Sequence, residues 1–201
     1  ATGLSGDKIN PASGGYFEDV YMSVKEDGKW TAAQNIGKPI NSEANDALSG
    51  FSVDGQKCIV YIGKPGDMGD LYESELNGKI WSKPDHMNKN INTNSNESSA
   101  WYSPDGRTVY FVSNRPGGYG GRDIYKSTLD DKDKWGEAVN LGPTINTEFD
   151  EKGVFLHPDG RTLYFSSEGH NTMGGFDIFK AVFDEESKEW SKPTNLGYPL
   201  N

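Results

Sequence analysis

One cysteine, three histidines and no apolar run of membrane length leave several chemistries without material in this 201-residue chain. Cys58 lies inside Cys58-Ile59-Val60-Tyr61. An internal disulfide is therefore impossible, the thiol reads as buried, and the compartment stays open. His86, His157 and His170 fall in different parts of the chain, and no Ser or Cys stands in a nucleophile setting. No catalytic constellation is expected, hence no enzyme, no metal and no cofactor. No segment approaches the ~20 apolar residues that cross a bilayer. Ala1 opens no charged, apolar, small-residue signal pattern, so the expectation is a soluble, mature or excised piece. Basic charge is also short: 20 Lys and Arg against 30 Asp and Glu give a net charge of −10 and a pI near 4.8. With no Lys/Arg stripe among the aromatics, that balance excludes nucleic acid as a partner.

What the chain does have is a repeat. Trp30, Trp81, Trp135 and Trp190 each run on to Ile40-Asn41, Ile91-Asn92, Ile145-Asn146 and Leu200-Asn201, with steps of 51, 54 and 55 residues for both marks. Asp19-Val20-Tyr21, Asp70-Leu71-Tyr72, Asp123-Ile124-Tyr125 and Asp177-Ile178-Phe179 keep the same beat. Glycine supplies 25 residues, well above the usual ~7%, and aromatics 12%, which suits short strands joined by tight turns.

In the third unit the Asp105-Gly106 turn precedes Thr108-Val109-Tyr110-Phe111-Val112, a β-rich run, so the pair reads as a hairpin. A Gly-rich loop from Asn114 to Arg122 feeds a third strand from Asp123 to Leu129. A fourth strand is predicted from Trp135 to near Leu141. Second strands apolar on both faces suit small sheets sandwiched between neighbours. Four-stranded units of this period, without helices, point to an all-β fold, a β-propeller of four-stranded antiparallel blades. A β-sandwich is the weaker alternative, because its strands would not return to the same marks. The expected units are 1–44 (partial), 45–95, 96–149 and 150–201. These make about three and a half blades of a larger propeller, since known rings close with ~4 to 8. A four-bladed ring with a missing strand, or two copies completing each other, stays open.

Ser103-Pro104-Asp105-Gly106-Arg107-Thr108-Val109-Tyr110-Phe111 and His157-Pro158-Asp159-Gly160-Arg161-Thr162-Leu163-Tyr164-Phe165, each followed by its Asp-Ile-aromatic mark, resemble the TolB-type, WD40-like propeller repeat. The second unit departs at Val53, Gln56 and Leu71. Blade ends such as Asn140-Leu141-Gly142-Pro143-Thr144-Ile145-Asn146 further resemble the version in OmpA-family envelope proteins of Bacteroidetes, some of them in the type IX secretion machinery. The resemblance implies a periplasmic or outer-membrane-associated module that binds other envelope proteins, with peptidoglycan contacted only through a separate domain. A propeller flanking a hydrolase or peptidase, or binding glycan, is the rival.

Strand order puts the Asp-Gly hairpins and acidic turns on one face and the Gly-rich and blade-to-blade loops on the other. Function is expected on the second, over 5–18, 63–69, 114–122 and 168–176. Arg115, Tyr119 and Arg122, with His170, Asn171 and Met173 of the fourth unit, are the candidate partner-binding residues. Asp46, Glu97, Asp150 and Glu151 open the innermost strands and could converge as an acidic cluster at the channel mouth, although hydrogen bonds to nearby turns explain the same pattern. The repeated Asp19, Asp70, Asp123 and Asp177 read as a structural hydrogen bond made once per unit. Gly117 to Gly121 is no phosphate loop, because a strand and not a helix follows. Asp131 to Gly136 is no calcium loop, because Trp135 occupies a ligand position.

Overall fold

The computed structural model describes residues 9–10 and 14–201. In the third unit Glu97–Tyr102, Thr108–Ser113, Asp123–Thr128 and Val139–Asn140 form one antiparallel sheet in chain order. The second unit repeats it with Asn45–Phe51, Lys57–Gly63 and Asp70–Asn77, and the fourth with Glu151–Leu156, Thr162–Ser167 and Asp177–Asp184. Of the first unit the described residues form the outer half, Tyr21–Met22 against Gln34–Asn35 and Lys25–Glu26 against Lys29–Trp30. The protein is an all-β propeller arc of three blades and part of a fourth, with no helix among the described residues and so none long and apolar enough to cross a membrane.

The fourth strand is not continuous. Trp135 makes only a bridge to Leu129, and pairing resumes at Val139–Asn140. In the second and fourth blades it is likewise split, into Ile80–Trp81 and Asp85–His86, and into Glu189–Trp190 and Thr194–Asn195. The residue after each of the other three tryptophans explains the break. The hydroxyls of Thr31, Ser82 and Ser191 accept the backbone N–H of Val24, Glu75 and Val182, each at 3.0 Å. A side chain thus takes the place of a strand carbonyl, and the main chain bulges away. Pro84 and Pro193, two residues further on, have no N–H with which to resume the ladder early.

The recurring asparagine has a physical role. Asn146 accepts the N–H of Ile124 at 2.8 Å and donates to its carbonyl at 2.9 Å, so one amide side chain satisfies both backbone groups of a buried residue. Asn41 does the same for Val20, Asn92 for Leu71 and Asn201 for Ile178.

The core lies between blades. Ile40 packs on Cys58, Val60 and Ile62; Ile59, Leu71 and Ile91 on Ala100, Val109 and Phe111; Val112, Ile124 and Ile145 on Val154, Leu156 and Phe165. Burial of each such side chain contributes ~1.5–3 kcal/mol, so each blade is stabilised mainly by its neighbours. Cys58 is buried, and burial pushes its thiol up to about 11, which keeps it protonated and inert. Among the described residues no strand of the first unit touches one of the fourth, so the arc they form is open. Ile178 and Leu200, whose counterparts Ile124 and Ile145 are fully buried, are 37% and 64% exposed.

Innermost strands of adjacent blades approach closely. Ser49 Oγ accepts the N–H of Ala100 at 2.6 Å, and a Cβ on Gly50 would lie 2.7 Å from the Ala100 carbonyl and 2.9 Å from the Trp101 ring. Gly50→Ala is therefore expected to cost about 1–2 kcal/mol, read as a lower urea midpoint. An unchanged midpoint would mean that these strands separate freely.

Candidate functional site

Each repeated aspartate is tied to the outer strand, and two of them also organise the loop beside them. Asp123 accepts the N–H groups of Tyr119 at 2.6 Å and Gly120 at 3.1 Å and the side-chain amide of Asn140 at 2.8 Å. Asp177 holds the Met173 N–H and the Asn195 amide, Asp19 the Asn35 amide, and Asp70 the His86 ring. These carboxylates are committed to the frame. Gly120 must be glycine, because a Cβ there would lie 2.0 Å from the Phe149 carbonyl and 2.5 Å from that of Thr147. The Gly-rich loop of the third blade therefore lies directly on the link into the fourth.

That contact forms a cleft of about 500 Å³ on the loop face, lined by Tyr119, Pro143, Thr147, Glu148, Phe149 and His170. Tyr119 and Phe149 are 53% and 52% exposed, although both are large and apolar. Phe149 was not among the expected site residues. Its signal was available, because the same place in the links into the second and third blades holds Ala44 and Ser95.

The remaining candidates separate. Arg115, expected on a loop tip, is turned inward with its side chain 13% exposed. It donates to the carbonyls of Asn90 at 3.2 Å and Ile91 at 2.5 Å and to Ser113 Oγ at 3.0 Å, and lies 3.4 Å from the buried Glu97. Its guanidinium sits 5.0 Å over Phe111 and 4.9 Å over Tyr125. Burial pulls its pKa below the usual arginine range, partly offset by Glu97. A partner-binding role for Arg115 is corrected to a clasp between blades, since backbone carbonyls already take its donors. His170 is the corresponding clasp one blade on: Nε2 is 2.9 Å from the Ile145 carbonyl, and the ring stands against Phe165 and Phe179. It also forms one wall of the cleft. Arg122 pairs with Asp150 at 3.5 Å. Asn171 and Met173 are exposed on the same loop as His170 but outside the cleft.

Of the two readings of the channel-mouth residues, the structure shows the hydrogen bonds to nearby turns. Asp46, Glu97 and Glu151 are buried in their own blades. Asp46 accepts from Ser42 N and Oγ, Glu97 from Thr93 N and Oγ1 and from Ser113, and Glu151 from Thr147 N and Oγ1 and from Ser167. Each carboxylate closes the turn four residues before it. Asp150 alone of the four stays half-exposed, against Arg122. Among the described residues no group of three or more His, Cys, Asp or Glu could hold a metal ion. In the loop expected over 5–18, positions 5–8 and 11–13 lie outside the described residues.

Blades stacked around an axis, with loops gathered on one face, define the class as a β-propeller. Among solved structures the chain is similar to TolB from Acinetobacter baumannii, with TM-score 0.53, 20% identity and coverage of 88% of this chain and 38% of that one. It is also similar to a TolB-type protein from Agrobacterium tumefaciens, with TM-score 0.53, 16% identity and coverage of 85% and 59%. A chain of the nidogen/laminin complex matches at TM-score 0.56, 12% identity and coverage of 90% and 59%. The chain thus spans between about two fifths and three fifths of the length of these structures, and the likeness is one of fold. No protein-family model matches the chain, and no curated protein matches it either.

Proposed function

We propose that the chain is a non-enzymatic propeller module that binds a protein partner in a bacterial cell envelope, through the cleft at Tyr119, Phe149 and His170. The observation that carries the reading is the aromatic pair. Two half-exposed rings are held across a blade junction by a rigid frame, Phe149 at a place where the earlier links carry Ala44 and Ser95, and such aromatic anchors in a preformed cleft dominate protein interfaces. A non-enzymatic role is supported by the dispersal of the three histidines, which stand at separate places beside Asp70, Asp159 and the Ile145 carbonyl. The repeat's resemblance to OmpA-family envelope proteins, together with the TolB-like fold, supports a periplasmic or outer-membrane-associated setting and a place in an assembly such as the type IX secretion machinery. Peptidoglycan would be bound only by a separate domain.

Capture of partners from envelope extracts tests the cleft. The double variant Tyr119→Ala, Phe149→Ala is expected to keep the circular dichroism of the parent and to lose roughly several hundredfold in partner affinity, as removal of two ~2 kcal/mol anchors implies. The same partners held as tightly by the double variant would remove this cleft as the site.

A further inference from the structure

On the opposite face, among the tight turns, a second cleft of about 440 Å³ opens between the second and third blades. Pockets of ~300–1,000 Å³ are the size that holds small ligands. In it the Tyr102 hydroxyl, on a residue only 2% exposed, donates to Glu73 Oε2 at 2.5 Å. Lys57 Nζ lies 3.0 Å from Glu73 Oε1 and 3.1 Å from Glu75. The repeat does not require this chain of contacts. By strand register, Lys57 stands where the third and fourth blades carry Thr108 and Thr162, Glu73 where they carry Lys126 and Lys180, and Tyr102 where the second and fourth carry Phe51 and Leu156. Three residues that depart from the pattern, on three strands of two blades, meet at one place.

The rim adds Arg107, 3.6 Å from Asp133 and donating to the carbonyls of Leu129 and Asp130 at 3.3 Å, and the wall adds Trp135, tilted 34° to the Tyr102 ring. Both signs of charge line the cleft, and each charge already has a partner within the protein. A ligand of either net charge would therefore meet a like charge on one wall. A ligand whose groups both donate and accept can bridge carboxylates and guanidinium together, and a hydroxyl does both at a single atom. An aromatic wall suits the apolar C–H face of a sugar ring.

We propose that this cleft binds a neutral saccharide, its ring against Trp135 and its hydroxyls between the carboxylates and Arg107. The proposal does not depend on the loop-face cleft, which lies on the other side of the blades. Titration calorimetry and saturation-transfer NMR of the whole chain with glucose, galactose, mannose and N-acetylglucosamine test it. At least one sugar is expected to bind saturably. Arg107→Ala, which removes a half-exposed side chain and leaves the melting temperature near that of the parent, is expected to weaken that binding at least tenfold. Tyr119→Ala with Phe149→Ala is expected to leave it unchanged. Failure of all four sugars to saturate up to tens of millimolar, undiminished binding by Arg107→Ala, or saturable binding of a neutral Ser/Ala peptide without any sugar, would each overturn the proposal.

Discussion

Arg115→Ala lowers the unfolding free energy by about 3 kcal/mol, the low end of the cost of breaking a buried ion pair. Three losses combine. Glu97, fully buried, loses the cation beside it while keeping the Thr93 and Ser113 hydrogen bonds. The carbonyls of Asn90 and Ile91 lose their donors, and the Phe111 and Tyr125 rings lose the plane that covers them. Arg115→Lys is expected to recover only part of this, because an ammonium cannot reach two carbonyls and a carboxylate in one plane. Urea unfolding followed by tryptophan fluorescence measures both. An alanine variant as stable as the parent that no longer captures envelope partners would restore Arg115 to the binding surface and sink the clasp.

Glu151→Gln is expected to stabilise the protein, and only above acid pH. Burial pushes the Glu151 carboxyl from its ordinary 4.5 up to about 7, against the opposing hydrogen bonds from Thr147 and Ser167. Because the folded value lies above the unfolded one, the folded chain favours the protonated acid. The contribution is fully present below pH 4.5 and is lost as pH rises through 7, a change of about 3 kcal/mol. Glutamine copies the protonated state: its oxygen can accept from Thr147 N, and its amide can donate to the Thr147 or Ser167 hydroxyl, which both donate and accept. The difference in unfolding free energy between variant and parent, in which other titrations cancel, should grow from near zero at pH 4.5 to about 3 kcal/mol at pH 8. A difference that stays flat across this window would mean that Glu151 is ionised in the folded chain at little cost.

The frame was readable because it is periodic. Asn41, Asn92, Asn146 and Asn201 each perform one backbone task, so the same physics selects the same residue at the same interval. The breaks in the outer strands were less legible, because they depend on whether a hydroxyl after each Trp turns back onto the preceding strand. In the site, Tyr119 and His170 could be singled out as departures from the repeat, and Phe149 could have been by the same comparison with Ala44 and Ser95. Arg115 could not be assigned. It shares a loop with Tyr119, and its partners are main-chain carbonyls 24 and 25 residues earlier, which no side-chain pattern announces. Asp46, Glu97 and Glu151 were harder for the same reason, since a carboxylate facing a channel and one closing a turn need the same spacing.

The clasp also bears on how tandem units diverge. Arg115 and His170 grip the link behind them by its carbonyls, and every residue type carries a carbonyl. The gripped links can therefore change their side chains without losing their hold, as Lys89 and Asn90 beside Ile91 and Pro143 and Thr144 beside Ile145 already do. The grip itself asks only for a donor, so arginine in one unit and histidine in the next both serve. A duplicated blade held in this way can drift in sequence at its surface links while its place in the stack is preserved.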